Sequence, residues 1–166
     1  ETVAEYLGSV PPEFRFTIKA PNSITLTHFY ERGPQRGSGP NPYFLSHTLL
    51  DDFLERIQPM REQTGSVMLQ FEYLNKQKMA GVEEFCEKTN AFLTGLSDEA
   101  RRWPLAIELR NPNFLRPPYF AMLQAHGVPH VYCHGYYLPP APVVLARANA
   151  AGLTPTGHQV LRLLGP

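Results

Sequence analysis

The 166-residue sequence has only two cysteines, a single tryptophan and no surplus of either charge, with 15 Lys+Arg set against 15 Asp+Glu. Cys86 and Cys133 are too few and too far apart for a disulfide framework or a CxxC site, so a reduced, cytoplasmic setting is the default expectation. The balanced charge supplies no broad positive field. Nucleic acid and anionic membrane are therefore not expected partners, and any anion would have to be held by a local cluster. No apolar run approaches the ~18–20 residues needed to cross a bilayer, and the stretch Glu1 to Glu5 is acidic rather than a basic signal region. Also missing are a Gly-rich phosphate loop, a GxGxxG fingerprint, a GxSxG elbow and an HExxH pair, so no cofactor is expected. A metal site built from Glu72, Glu108 and His134 would lack any ligand-like spacing, and no metal is expected either. Internal repeats and low-complexity tracts are absent.

What is present is an ordinary apolar fraction, 43%, in a length that suits one domain and rules out a disordered chain. Short segments rich in Val, Ile, Phe and Leu alternate with helix-like stretches, the pattern of βα units on a parallel sheet. Strands are expected at Phe14–Ala20, Val67–Glu72, Leu105–Arg110, His130–Cys133 and Gln159–Leu164. Apolar residues at three- and four-residue steps predict amphipathic helices from Phe44 to Ile57 and from Val82 to Leu96. Pro117-Pro118 opens a third helix through Tyr119–Ala125 that stops at Gly127, and a fourth is read near Pro142–Ala151. Turn residues fill Tyr30–Pro42, a long loop of the kind that forms lids and binding loops. The sequence begins without Met and stops at Leu164-Gly165-Pro166 directly after an apolar strand, and it reads as a fragment: a single domain over residues 1–166 lacking strands at both ends.

Side chains alternate across a strand, so parity divides each strand into two faces. Phe14, Phe16 and Ile18, then Val67, Leu69 and Phe71, then Ile107 and Leu109, then Leu161 and Leu163 are assigned to the face that meets the helices. The other face gathers Lys19, Gln70, Glu72, Glu108, Arg110 and Arg162 toward the C-terminal ends of the strands. Ligands of α/β proteins bind at that end. Charged groups on an enclosed face must pair, bind water or bind a ligand, because an unpaired buried charge costs several kcal/mol.

Several ordered segments resemble the domain of unknown function 72, or YecE-like, proteins. They are Thr2-Val3, Val10-Pro11-Pro12-Glu13-Phe14-Arg15-Phe16, Ile18-Lys19-Ala20-Pro21 and Ile24 to Thr27-His28, then Leu49 to Ile57-Gln58-Pro59 and Gly65 to Gln70-Phe71. Ile107-Glu108-Leu109-Arg110-Asn111, Leu138-Pro139-Pro140 and Val160 to Gly165 complete the set, which covers essentially the whole chain. The resemblance implies an incomplete TIM-type (β/α) barrel of about five parallel strands, corresponding to strands three to seven, and a family of unestablished activity. Its characteristic positions match Lys19, His28, Gln70, Glu108, Arg110 and Arg162. The chain departs from the family where Phe71-Glu72-Tyr73 stands in place of a Pro-Pro pair, where Phe114 replaces a Trp, and at Cys133-His134-Gly135-Tyr136.

From these residues the expected activity is binding or turnover of a small anionic or sugar-like molecule. Glu108, Glu72 and His28 are the catalytic candidates, and Lys19, Gln70, Arg110 and Arg162 the substrate-binding ones. The alternatives are a non-catalytic metabolite-binding module and a closed charged network that binds nothing. Cys133 and His134 alternate to opposite faces and are not expected to form a dyad, Trp103 is expected to pack, and Tyr136-Tyr137 either lines a pocket or covers a turn.

Overall fold

The computed structural model describes residues 2–29, 39–135, 137–154 and 157–164. Its elements run α1 (Thr2–Gly8), β1 (Phe16–Lys19), the one-turn α2 (Asn22–Thr25), α3 (His47–Arg56), β2 (Thr64–Gln70), α4 (Val82–Thr94), β3 (Leu105–Glu108), α5 (Pro117–His126), β4 (Tyr132–His134), α6 (Ala141–Ala150) and β5 (Leu161–Leu163). The fold is mixed α/β with parallel strands, and each expected strand and helix has a counterpart. The helix α1 and the 3-10 turns at Gln58–Gln63, Ala100–Arg102 and Pro112–Phe114 were not expected from the pattern.

The strands lie in two parallel sheets, β1-β2-β3 and β4-β5, which are not closed into a barrel. Among the described residues one backbone bridge, Ile107 to His130, links them, made by Ile107 N to the Pro129 carbonyl at 3.0 Å and Val131 N to the Ile107 carbonyl at 2.8 Å. Most strands are shorter than expected: pairing stops at Lys19, Gln70 and Glu108, so Glu72 and Arg110 leave the ladder and sit in the loops that follow.

Each helix boundary has a local cause. Ser46 caps α3 by accepting a hydrogen bond from Leu49 N at 3.3 Å, and Ser46→Ala is expected to lower stability by about 1 kcal/mol in a thermal melt. Pro117 occupies the first turn of α5, where its missing N–H is harmless, and Gly127 ends that helix at φ 63°, a conformation glycine adopts without strain. Glu83 and Glu84 place negative charge in the first turn of α4.

The main core lies between the helices and one face of the sheets. Phe71 and Phe85 meet edge to face at 5.0 Å, and Phe85 also contacts Phe114 and Tyr119. A second, smaller core sits on the opposite face, where Met68, Ala106 and Val131 pack with Val160. Three parity assignments are corrected. Leu161 and Leu163, expected to meet helices, are 58% and 77% exposed, because no helix among the described residues covers that face of β5. Phe14 is likewise exposed and lies before β1 begins. Most of the long loop read at Tyr30–Pro42 falls on residues 30–38, outside the described residues.

Candidate functional site

Three of the four residues of the small core, Met68, Ala106 and Val160, are followed two positions along the chain by a polar one, Gln70, Glu108 and Arg162, and the fourth, Val131, by Cys133. Register brings these together, since Gln70 pairs directly with Glu108 across β2 and β3, and β5 carries Arg162 opposite Cys133 of β4. Glu108 is fully buried. Its Oε1 accepts from Gln70 Nε2 and from Arg110 Nε, each at 2.8 Å, and its Oε2 accepts from Arg162 Nη1 at 2.5 Å.

Burial pushes the Glu108 carboxyl upward, but hydrogen bonds from Arg162, Arg110 and Gln70 outweigh it and hold the group below the ordinary value of 4.5. Glu108 is therefore a carboxylate at neutral pH. The cluster pairs one negative charge with two positive ones. The two arginines are 31% and 33% exposed, and each spends one nitrogen on Glu108, leaving further N–H donors directed elsewhere.

The remaining candidates are distributed differently. Glu72 is bound by Lys78 Nζ at 2.7 Å, an ion pair whose members are each about 15% exposed, and Thr27 Oγ1 donates to Glu72 Oε1 at 3.5 Å. His28 Nδ1 shares a hydrogen bond with Thr27 Oγ1 at 3.1 Å, so His28, Thr27, Glu72 and Lys78 form a chain joining the loops after β1 and β2. Lys19 is exposed at the end of β1 and donates to Asn22 Oδ1, apart from Glu108. The structure thus groups Gln70, Glu108, Arg110 and Arg162, links Glu72 to His28, and sets Lys19 aside.

Cys133 is buried beside Glu108, and burial raises its thiol to about 11, which leaves it protonated and a poor nucleophile. Tyr136 is outside the described residues, while Tyr137 packs edge to face on Tyr73 at 5.8 Å. Among the described residues no group of three His, Cys, Asp or Glu side chains could hold a metal ion, and no helix is long and apolar enough to cross a membrane.

Three residues that matter to this end of the sheet were not singled out in the sequence. Asn111, fully buried, fixes the loop after β2 by accepting from Leu74 N at 2.8 Å and donating to the Leu74 carbonyl at 2.7 Å. Lys78 belongs to an irregular loop whose path no periodicity predicts. His130 is buried in an aromatic cage and shares a 2.9 Å hydrogen bond with Tyr119 Oη, a contact that depends on how α5 packs.

A family model described as "Protein of unknown function DUF72" matches residues 1–166, the full length of the chain. No curated protein and no solved structure matches it.

Proposed function

The chain belongs to the DUF72 family, and from that premise we propose that its strands are successive staves of a TIM-type barrel whose C-terminal mouth binds a small oxyanion, such as a sugar phosphate or sugar acid. One observation carries the reading: a fully buried Glu108 carboxylate holds Arg110 and Arg162 side by side while leaving part of each guanidinium exposed. Guanidinium groups oriented in advance bind phosphate and carboxylate through charge-assisted hydrogen bonds with little ordering cost. Glu108 is then a positioning residue, and Gln70 completes its shell. Glu72 and His28, connected through Thr27, are the groups this reading leaves for proton transfer.

A second reading is favoured by the completeness of the network, since both Glu108 oxygens have partners without any ligand. In that reading the cluster only ties β3 to β5. Calorimetric titration with inorganic phosphate, glucose 6-phosphate and gluconate separates the two. Oxyanion binding is expected to be saturable for at least one probe and to weaken ~10–100-fold in Arg162→Met, the loss of one charge-assisted contact. Flat titrations with all three would leave the cluster a structural tie.

A further inference from the structure

The opposite ends of the strands hold a separate cavity of about 290 Å³, near the lower end of ligand-sized pockets. It is bounded by the first residues of β2, the segments leading into β3, β4 and β5, and the C-terminal ends of α4 and α5. Leu93 and Leu105 give it an apolar wall.

Its polar side chains are neutral or basic. Ser66, Arg101, Trp103, His126 and His158 contribute hydroxyl, guanidinium, indole and imidazole groups, and no carboxylate of the described residues lines the cavity. Ser66 Oγ and Trp103 Nε1 are buried and have no hydrogen-bond partner among the described residues. These residues are 2% and 4% exposed. Indole nitrogen can only donate, and a buried donor without an acceptor costs about 1–3 kcal/mol. Trp103 Nε1 at this cavity therefore points to an acceptor that occupies it, and the unpartnered Ser66 hydroxyl, which can donate as well as accept, can serve the same acceptor.

The charge agrees. Arg101 donates to the Leu96 and Thr94 carbonyls but has no ion-pair partner among the described residues. Burial lowers the His126 pKa, and the Arg101 guanidinium lowers it further, as expected of two basic groups with no anion between them. Gly65 admits the His158 ring, whose Cδ2 would lie 3.1 Å from any Cβ placed there.

We propose that this cavity binds a small molecule carrying a carboxylate or phosphate on a compact apolar body, with Trp103 Nε1 and Ser66 Oγ as donors and Arg101 as counter-charge. The site is independent of the Glu108 cluster, which lies at the other end of the strands.

Trp103 is the only tryptophan in the chain, so its fluorescence reports on this end alone. Titrating the full chain with phenylacetate and with phenyl phosphate is expected to change Trp103 emission saturably for at least one of them, and which one responds distinguishes carboxylate from phosphate. The neutral phenylacetamide is expected to bind ~10-fold more weakly or less, and Ser66→Ala to weaken the anion ~3–10-fold through loss of a single hydrogen bond. Arg101→Met is expected to weaken it at least ~10-fold, with partial recovery in Arg101→Lys, whose retained charge tells a lost contact from a lost fold. Arg162→Met is expected to leave the titration unchanged. Equal binding of acid and amide, flat titrations with both anions, or sensitivity to Arg162→Met instead of Arg101→Met would each overturn the proposal.

Discussion

Glu108→Ala is expected to destabilise the protein by about 3 kcal/mol, or roughly 10 °C in melting temperature for a chain of this length. The substitution removes the shared acceptor of Gln70, Arg110 and Arg162 at a fully buried position. Breaking a buried ion pair costs about 3–5 kcal/mol, and the lower end applies because both arginines keep a third of their surface in water and recover hydration. Glu108→Gln keeps the volume and one acceptor oxygen and is expected to cost about half as much. The pH dependence separates charge from shape. The folded pKa of Glu108 lies below its unfolded value, so its contribution is complete above about 4.5 and disappears as the pH falls through the lowered folded pKa. Urea midpoints of the native chain and Glu108→Gln should converge over that acid range. A constant gap would mean that the charge of Glu108 contributes nothing.

The second large effect occurs at a higher pH and has the same sign for a different reason. Burial depresses the His130 imidazole from 6.5 to about 4, despite a hydrogen bond to the Ile107 backbone and the nearby Glu108 carboxylate, both of which favour the charged form. Tyr119, Phe120 and Tyr132 enclose the ring with edge contacts at 5.6, 5.9 and 5.0 Å. Between pH 6.5 and 4 the unfolded chain binds a proton that the folded chain refuses. Stability therefore falls as the pH falls through this window, by about 3 kcal/mol once it is crossed. Denaturant titrations at intervals from pH 7 to 4 check this, and His130→Gln is expected to flatten the profile over the same interval. A native profile already flat above pH 4.5 would show that the imidazole is not held neutral.

Period-two alternation was enough to bring Gln70, Glu108 and Arg162 to one face, because β2, β3 and β5 are paired through those residues or next to them. It failed at Glu72, where the ladder ends at Gln70 and the side chain is placed by a loop and its ion pair with Lys78. Lys19 was assigned to the correct strand, but among the described residues β1 pairs only with β2, and a lysine at that border reaches Asn22 and solvent instead of the centre. Helices were legible because apolar residues at three- and four-residue steps coincide with real stop signals such as Gly127. His130 was not, since neither its neutrality nor its cage follows from local sequence: Tyr119 reaches it from another element. The exposed Leu161 and Leu163 show the limit of parity, which says which residues share a face but not whether anything covers it.

The one backbone bridge that joins the two sheets among the described residues, Ile107 to His130, divides the molecule into parts of unequal persistence. Proteins open piecewise, and segments with few buried contacts open at a smaller free energy than the whole. Paired only with β4 among the described residues, held to β1-β2-β3 by the Arg162–Glu108 ion pair and the packing of Val160 rather than by a backbone ladder, and carrying exposed leucines, β5 is the strand whose amides should exchange with solvent first. Arg162 moves with it. Half of the clamp on Glu108 thus belongs to the part that opens most readily, and any anion gripped by Arg110 and Arg162 together would also slow the fraying of β5.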